Sequence, residues 1–446
     1  MTAFKNNVGV KIPNILLPSK GVEYEKWACV ACDQYTSEPE YWDATETIVG
    51  EAPSTLKLIL PELYLGKPDE EERIAKIRST MSYYLNSGIL ADMGVGVVLT
   101  KRIVNGRTRT GLVLALDLEN YDYKKGATTL IRATEGTIVE RIPPRLKIRE
   151  AASLELPHII ILIDDPEKTV IEPIAAGVTE ADKIYDFDLM QDGGMISGYI
   201  VKDETMLISI INAFTALTDK ERCKKMYGDI PPLLFALGDG NHSFATAKAN
   251  WEKIKSSIPE YERENHPARF ALVEIENVHD DGIVFEPIHR VLFNVKPRKL
   301  LKALYGYMKE RSEFVQIKLC SSIDGATDEI ERYKSDDTHV ITFMSKKMNG
   351  FFVVHSPEAG LEVGSLQNAI DEYLKTNSDA KIDYVHGLDV VKKLSQQDEN
   401  MGFVLPPMDK GMLFPTVMKE GALPRKTFSM GEPNEKRYYM ECRRIL

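Results

Sequence analysis

The chain has 446 residues, 43% of them hydrophobic, which is ordinary for a soluble globular protein and enough for two or three domains. Its 56 basic and 67 acidic residues give a formal charge of −11, which argues against a general nucleic-acid or anionic-membrane binder and leaves room for a local basic pocket. The longest apolar runs, such as residues 159–163, are too short to span a bilayer, and the first residues lack the apolar stretch of a signal peptide. The expectation is a cytoplasmic protein with no membrane partner.

Three regions are predicted: 1–125, 126–296 and 297–446. In the first, five scattered cysteines in the whole chain exclude a disulfide framework. Cys29 and Cys32 have redox or zinc spacing, but no second pair completes a zinc site, so two small buried thiols on a strand are expected. Residues 70–86 carry helical spacing at Ile74, Ile77, Met81 and Tyr84. The apolar runs 94–101 and 110–116 flank Asn105-Gly106, a strong hairpin signal.

In the second region, residues 157–163 read as a buried strand. A helix follows Asp203, with Met206, Ile210, Phe214 and Leu217 on one face. Residues 229–232 break the chain before an apolar strand at 233–237. A tight Gly238-Asp239-Gly240-Asn241 loop comes next, then a helix starting near His242 that buries Phe244, Ala247, Trp251 and Ile254. Residues 269–276 read as one more strand. The third region offers a hairpin about Asn349-Gly350, between 340–344 and 351–354, and helices at 366–374 and 389–394. The fold class is α+β with mixed sheets.

Four stretches are richer in polar residues, Gly and Pro than packing requires. At the strand–loop–helix junction, the helix start leaves backbone N–H groups for an anion such as phosphate. Asn241 is expected to cap that helix, leaving the N–H groups of Ser243 and Phe244 for the ligand. Asp239 suits a proton acceptor or a ligand of Mg²⁺, and His242 a phosphate donor group or proton shuttle. The bland alternative is a turn satisfied by its own side chains.

The second stretch holds Arg132, Thr134, Glu135, Arg141 and Arg145. Guanidinium forks bind phosphate oxygens in bidentate fashion, and Glu135 beside them suits a base or metal ligand. Pairing of these arginines with Glu140 and Glu150 is the alternative. The third, with Arg425, Lys426 and Thr427, reads either as an anion-binding segment or as a solvated basic edge. The fourth runs from His279 to Arg290. Its spacing matches no compact metal motif, but His289 and Arg290 are candidates for a pocket, as is His386.

Together, residues 27–42, 133–150, 238–248, 285–290 and 423–432 resemble, in order, the bacterial and archaeal domain-of-unknown-function family 1015 (DUF 1015). Many members carry Asp-Gly-His-His-Arg at the loop. This chain has Asp239-Gly240-Asn241-His242-Ser243, so Ser243 stands where arginine is usual. The common loop is similar to that of the ParB and sulfiredoxin superfamily, in which such a turn binds nucleotide phosphates and some members are kinases for free serine. The resemblance implies a ParB-like α/β core over 126–296 and flanking mixed regions.

It also implies phosphoryl transfer on a small phosphorylated metabolite: a free-serine kinase run in either direction. The alternatives are a phosphoserine phosphatase and a non-catalytic nucleotide- or metabolite-binding regulator. Asp239, His242 and Glu135 would be catalytic. Arg132, Thr134, Arg141, Arg145, Asn241, Ser243, Arg425, Lys426 and Thr427 would bind phosphate, and Mg²⁺ would sit on Asp239. No P-loop or protein-kinase glycine loop occurs, so the phosphoryl donor stays open, pyrophosphate included. Nucleic acid is not an expected partner.

Overall fold

Asn105 and Gly106 both adopt positive φ, +51° and +74°, and turn the chain between strands Val97–Val104 and Arg107–Asp117. Their register pairs Val104 with Arg107, so the hairpin is a two-residue turn of the twist-matching kind expected for Asn-Gly. This hairpin is the middle of a nine-stranded sheet in a computed structural model that describes residues 4, 6–124 and 126–446. Residues 1–3 and 5, part of the stretch read above for a leader, lie outside the described residues, as does residue 125.

The fold is α+β. The chain forms two compact units, one of Met1–Val284, Val417–Ala422 and Met430–Leu446, the other of Phe285–Thr416 and Leu423–Ser429. In the first unit the sheet order is Ile131–Ala133, Phe235–Asp239, Ile160–Ile163, Phe270–Asn277, Arg107–Asp117, Val97–Val104, Met195–Val201, Lys183–Asp188. Val10–Lys11 adds antiparallel to Arg107–Asp117. Two neighbours are parallel, Phe235–Asp239 with Ile131–Ala133 and Phe270–Asn277 with Ile160–Ile163, and the rest are antiparallel.

Alternation along these strands builds a core on each face. Leu99, Leu112, Leu114, Val273 and Ile275 join one core, with Phe214 and Leu217 from helix Glu204–Leu217 and Phe244 and Trp251 from helix Asn241–Ile254. Val98, Val113 and Leu272 join the other, with Trp27, Trp42 and the expected face Ile74, Ile77, Met81 and Tyr84 of helix Glu70–Asn86. The boundary expected near 125 therefore falls inside one unit, because strands from both sides of it hydrogen-bond in a single sheet. The segment 430–446, expected with the third region, also belongs to this unit.

The second unit carries a six-stranded antiparallel sheet in the order Ser312–Cys320, Met348–Pro357, Thr338–Ser345, Met401–Val404, His289–Phe293, Lys381–Val385. Helices Pro297–Lys309 and Glu362–Lys375 pack together. The turn expected at Asn349-Gly350 lies instead at Lys346-Lys347, since Ser345 pairs with Met348. Gly350 is inside a strand, where a Cβ would sit 2.2 Å from the Lys318 carbonyl oxygen and 2.7 Å from the Phe343 ring. A close backbone approach, not a turn, requires that glycine.

The cysteines at 29 and 32 are not on a strand. They follow the short helix Tyr24–Trp27, Cys29 buried and Cys32 half-buried, both free. Burial pushes the Cys29 thiol up to about 12, so it is an inert thiol rather than a nucleophile. Among the described residues no helix is long and apolar enough to cross a membrane.

Candidate active site

The motif strand Phe235–Asp239 runs between its two sheet neighbours with a register break between Leu237 and Asp239. The break lifts Asp239 to the end of the sheet. Gly240 then takes φ +77°, and a Cβ there would meet the Ile159 backbone at 3.0 Å. Both facts require glycine, and the turn launches the motif helix Asn241–Ile254. Asn241 is the first helical residue and does not cap. Gly240 holds the cap position without a side chain, and Asn241 Oδ1 is buried with no hydrogen-bond partner among the described residues. The N–H groups of Asn241, His242 and Ser243 have no helical carbonyl in reach, the first intrahelical bond being Phe244 N–H to Gly240 O at 3.0 Å.

Asp239 accepts from the Gly240 N–H at 2.8 Å and faces Lys436 Nζ at 3.2 Å. Burial works against its charge, but the Lys436 ammonium and the Gly240 bond outweigh it and hold the carboxyl below the usual range. Asp239 is thus an ionised carboxylate with a mostly buried lysine as counter-charge.

On the helix side, Ser243 Oγ is 2.8 Å from His158 Nε2, and His158 Nδ1 is 2.9 Å from the Tyr439 hydroxyl. Tyr439 accepts from the Cys32 N–H at 3.2 Å. These side chains line a cavity of about 130 Å³. Its other polar lining is Arg145, Arg149, Glu62 and Glu155, and its apolar wall includes Leu58, Leu60, Met81 and Leu272. Arg145 Nε donates to Glu62 at 2.8 Å. Arg149 pairs with Glu155, which also accepts from Arg443 at 2.8 and 2.6 Å and from the Leu272 N–H at 2.8 Å. Burial opposes the Glu155 charge, and the two arginines overcome it, keeping its carboxyl low.

The remaining predicted residues fall in several places. Thr134 is buried and donates to the Leu237 carbonyl at 2.6 Å, fastening the motif strand. Arg132 is buried and donates to the carbonyls of Thr129, Pro231 and Pro232 at 2.8, 3.1 and 2.8 Å, so its donors bind backbone. Glu135 is half-buried and Arg141 exposed. Glu150 pairs with Lys253 at 2.7 Å and Arg145 with Glu62, so neither makes the ion pairs considered for this stretch.

In the second unit, Arg425 is an exposed partner of Asp371, Lys426 has φ +55°, and Thr427 donates to the Pro424 carbonyl at 2.5 Å. Arg290 is fully buried and donates to Gln367 at 3.2 Å and to the Arg425 carbonyl at 2.9 Å. Burial, with Arg290 and the exposed His386 nearby, pushes His289 down to about 4, and its Nδ1 accepts from the Leu405 N–H at 3.3 Å. His289 and Arg290 are thus built into that unit's own packing. His279 pairs with Asp164 at 2.6 Å.

Sequence reasoning missed Lys436, His158, Tyr439, Arg149 and Glu62. His158 heads a strand that read as pure core, and the others lie far along the chain from the loop.

The sequence profile of the family described as "Protein of unknown function (DUF1015)" matches residues 16–391. The chain belongs to that family. No curated protein matches it. Among solved structures it is similar to a conserved hypothetical protein from Pyrococcus furiosus, at 9% identity and TM-score 0.34, over 76% of this chain and 94% of that one. It is also similar to a free serine kinase in complex with AMP, at 10% identity and TM-score 0.36, over 75% and 92%. A third is SbnI with C-terminal truncation from Staphylococcus aureus, at 8% identity and TM-score 0.34, over 71% and 81%. Likeness at that level decides nothing about chemistry, which for this DUF1015 chain rests on its own side chains.

Among the described residues no group of three His, Cys, Asp or Glu converges, and the Asp239 oxygens already face a lysine and an N–H. A Mg²⁺ carried in on donor phosphates needs no such cage.

Proposed function

We propose that the protein transfers a phosphoryl group between a phosphoanhydride donor and a small hydroxylated metabolite, free serine being the acceptor. The observation that carries this reading is the opening of the motif helix beside a cavity lined by Ser243, Arg145 and Arg149, with the Asp239–Lys436 pair at the same turn. Phosphoryl transfer asks for positioning and charge neutralisation more than for a strong base. The positive end of the motif helix and the guanidinium groups of Arg145 and Arg149, whose charge is shared with Glu62 and Glu155, supply the neutralisation. Asp239, held ionised, accepts the hydrogen bond of the incoming hydroxyl and aims it.

Serine is the acceptor suggested by the loop's resemblance to a superfamily that includes free-serine kinases. The apolar wall of Leu58, Leu60, Met81 and Leu272 supports transfer over hydrolysis, because it keeps water from competing for the phosphoryl group. The test is a turnover panel: protein, Mg²⁺ and serine with ATP, ADP or pyrophosphate, and the reverse with phosphoserine. Phosphoserine made from at least one donor supports the reading. Phosphate released from phosphoserine with no acceptor present turns it into a phosphatase. No turnover in any combination, with thermal shifts from the ligands alone, leaves a binding protein and removes the proposal.

A further inference from the structure

We infer that Ser243 is a covalent way-station: it takes the phosphoryl group from the donor, with His158 as its base, and passes it to the acceptor. The inference rests on the phosphoryl-transfer reading and adds an intermediate to it. Three features of the molecule lead there.

First, the hydrogen bonds have one consistent direction. The Tyr439 phenol stands beside the Cys32 thiol, and burial keeps it neutral. With its proton toward sulfur, the phenol oxygen accepts from the Cys32 N–H and from His158 Nδ1–H. That tautomer, assigned from the network, leaves the His158 Nε2 lone pair facing the Ser243 hydroxyl at 2.8 Å. A hydroxyl bonded to a base that is itself oriented by a third group is the arrangement of an activated nucleophile.

Second, the hydroxyl faces space. Ser243, His158, Tyr439 and Arg145 line the same cavity, so a reacting phosphorus has room beside the oxygen. Third, the product is stabilised where it forms. Ser243 lies in the first turn of a fourteen-residue helix, where a phosphoserine dianion sits at the positive end of the dipole.

In the first half-reaction the Ser243 Oγ–P bond forms and the bond from phosphorus to the donor's bridging oxygen breaks. The Ser243 proton goes to His158 Nε2 and stays there, and the leaving phosphate departs with the bond's electron pair. In the second half, the acceptor hydroxyl oxygen attacks phosphorus, its proton passes to Asp239 and on to solvent, and the Ser243 oxygen leaves and takes its own proton back from His158. Nothing is oxidised or reduced.

The experiment is intact-mass analysis of the whole protein after incubation with Mg²⁺ and each donor in the absence of serine, followed by peptide mapping and a serine chase. The expected result is one phosphoryl group on Ser243, discharged as phosphoserine when serine is added, with ping-pong kinetics. Ser243→Ala should abolish labelling and turnover, and His158→Gln should slow labelling by about 10²-fold or more while thermal melts report both variants folded. If Ser243→Ala makes phosphoserine at the wild-type rate, transfer is direct; this inference falls and the phosphoryl-transfer reading stands. Labelling of Ser243 that serine cannot discharge supports the nucleophile and removes serine as acceptor. A folded protein that neither labels nor turns over with any donor sinks both.

Discussion

Asp239→Asn removes one charge at constant size, and its effects on folding and chemistry separate. At 3.2 Å from Lys436 Nζ, the Asp239 carboxylate gains about 5 kcal/mol of Coulomb attraction at an effective dielectric of about 20. Much of that is offset by what both groups lose in hydration. Measured losses run from under about 1 kcal/mol for exposed pairs to about 3–5 kcal/mol for buried ones. With side chains 11% and 23% exposed, the pair sits between, at about 2 kcal/mol. Asparagine keeps the bond to the Gly240 N–H, so the turn survives. In a domain this large each kcal/mol is worth roughly 2–4 °C, and the variant should melt about 4–8 °C lower and still fold.

The stability difference depends on pH with a definite sign. Because the native carboxyl titrates below its unfolded value, the wild-type advantage is full above about pH 4 and disappears as pH falls through the native pKa. Turnover should fall by about 10²-fold or more through loss of the group that aims the acceptor. Paired melts from pH 3 to pH 7 and the phosphoserine assay measure both. A folded variant with turnover within a few-fold of wild type refutes the reasoning about Asp239; a variant that fails to fold assigns the carboxylate to the turn.

Other consequences concern the frame around the site. Glu155→Gln leaves Arg149 and Arg443 without their buried carboxylate and should cost about 3–5 kcal/mol, read by urea unfolding; a loss under about 1 kcal/mol contradicts the assigned pairing. Gly350→Ala puts a methyl against the Lys318 carbonyl and should destabilise the second unit by about 1–3 kcal/mol, whereas a turn glycine beside open solvent would tolerate alanine far better. Because native His289 titrates near 4, below its unfolded value near 6.5, the stability it confers is full above about pH 6.5 and is lost as pH falls toward 4. His289→Asn should flatten that window in pH-dependent melts, and an unchanged slope would remove His289 as its source.

Much of this architecture is legible in the sequence where the cause is local. Asn105-Gly106 declares its hairpin because both residues accept positive φ, and helix Glu70–Asn86 declares its face through 3.6-residue spacing. The strand, the glycine turn and the helix of the motif are equally local. What sequence reading misses is set by distant partners. Gly350 looks like a turn glycine because nothing nearby reveals the strand that crowds it. Arg132 looks like a phosphate ligand until the carbonyls of Pro231 and Pro232 come to it across a parallel strand pair. Asp239 gives no local sign of its counter-charge, because Lys436 lies almost two hundred residues further along the chain. Ser243, read as a departure from the usual arginine, gains His158 from one stretch of chain and Tyr439 from another.

The central claim is that a phosphoryl group is held at the first turn of helix Asn241–Ile254. Its most direct test is a difference electron-density map from crystals soaked in phosphoserine or pyrophosphate. The account predicts phosphate density within hydrogen-bonding distance of the Asn241, His242 or Ser243 N–H groups, on the side of the cavity lined by Arg145. Phosphate bound elsewhere, with that turn and cavity empty at saturating ligand, would contradict it.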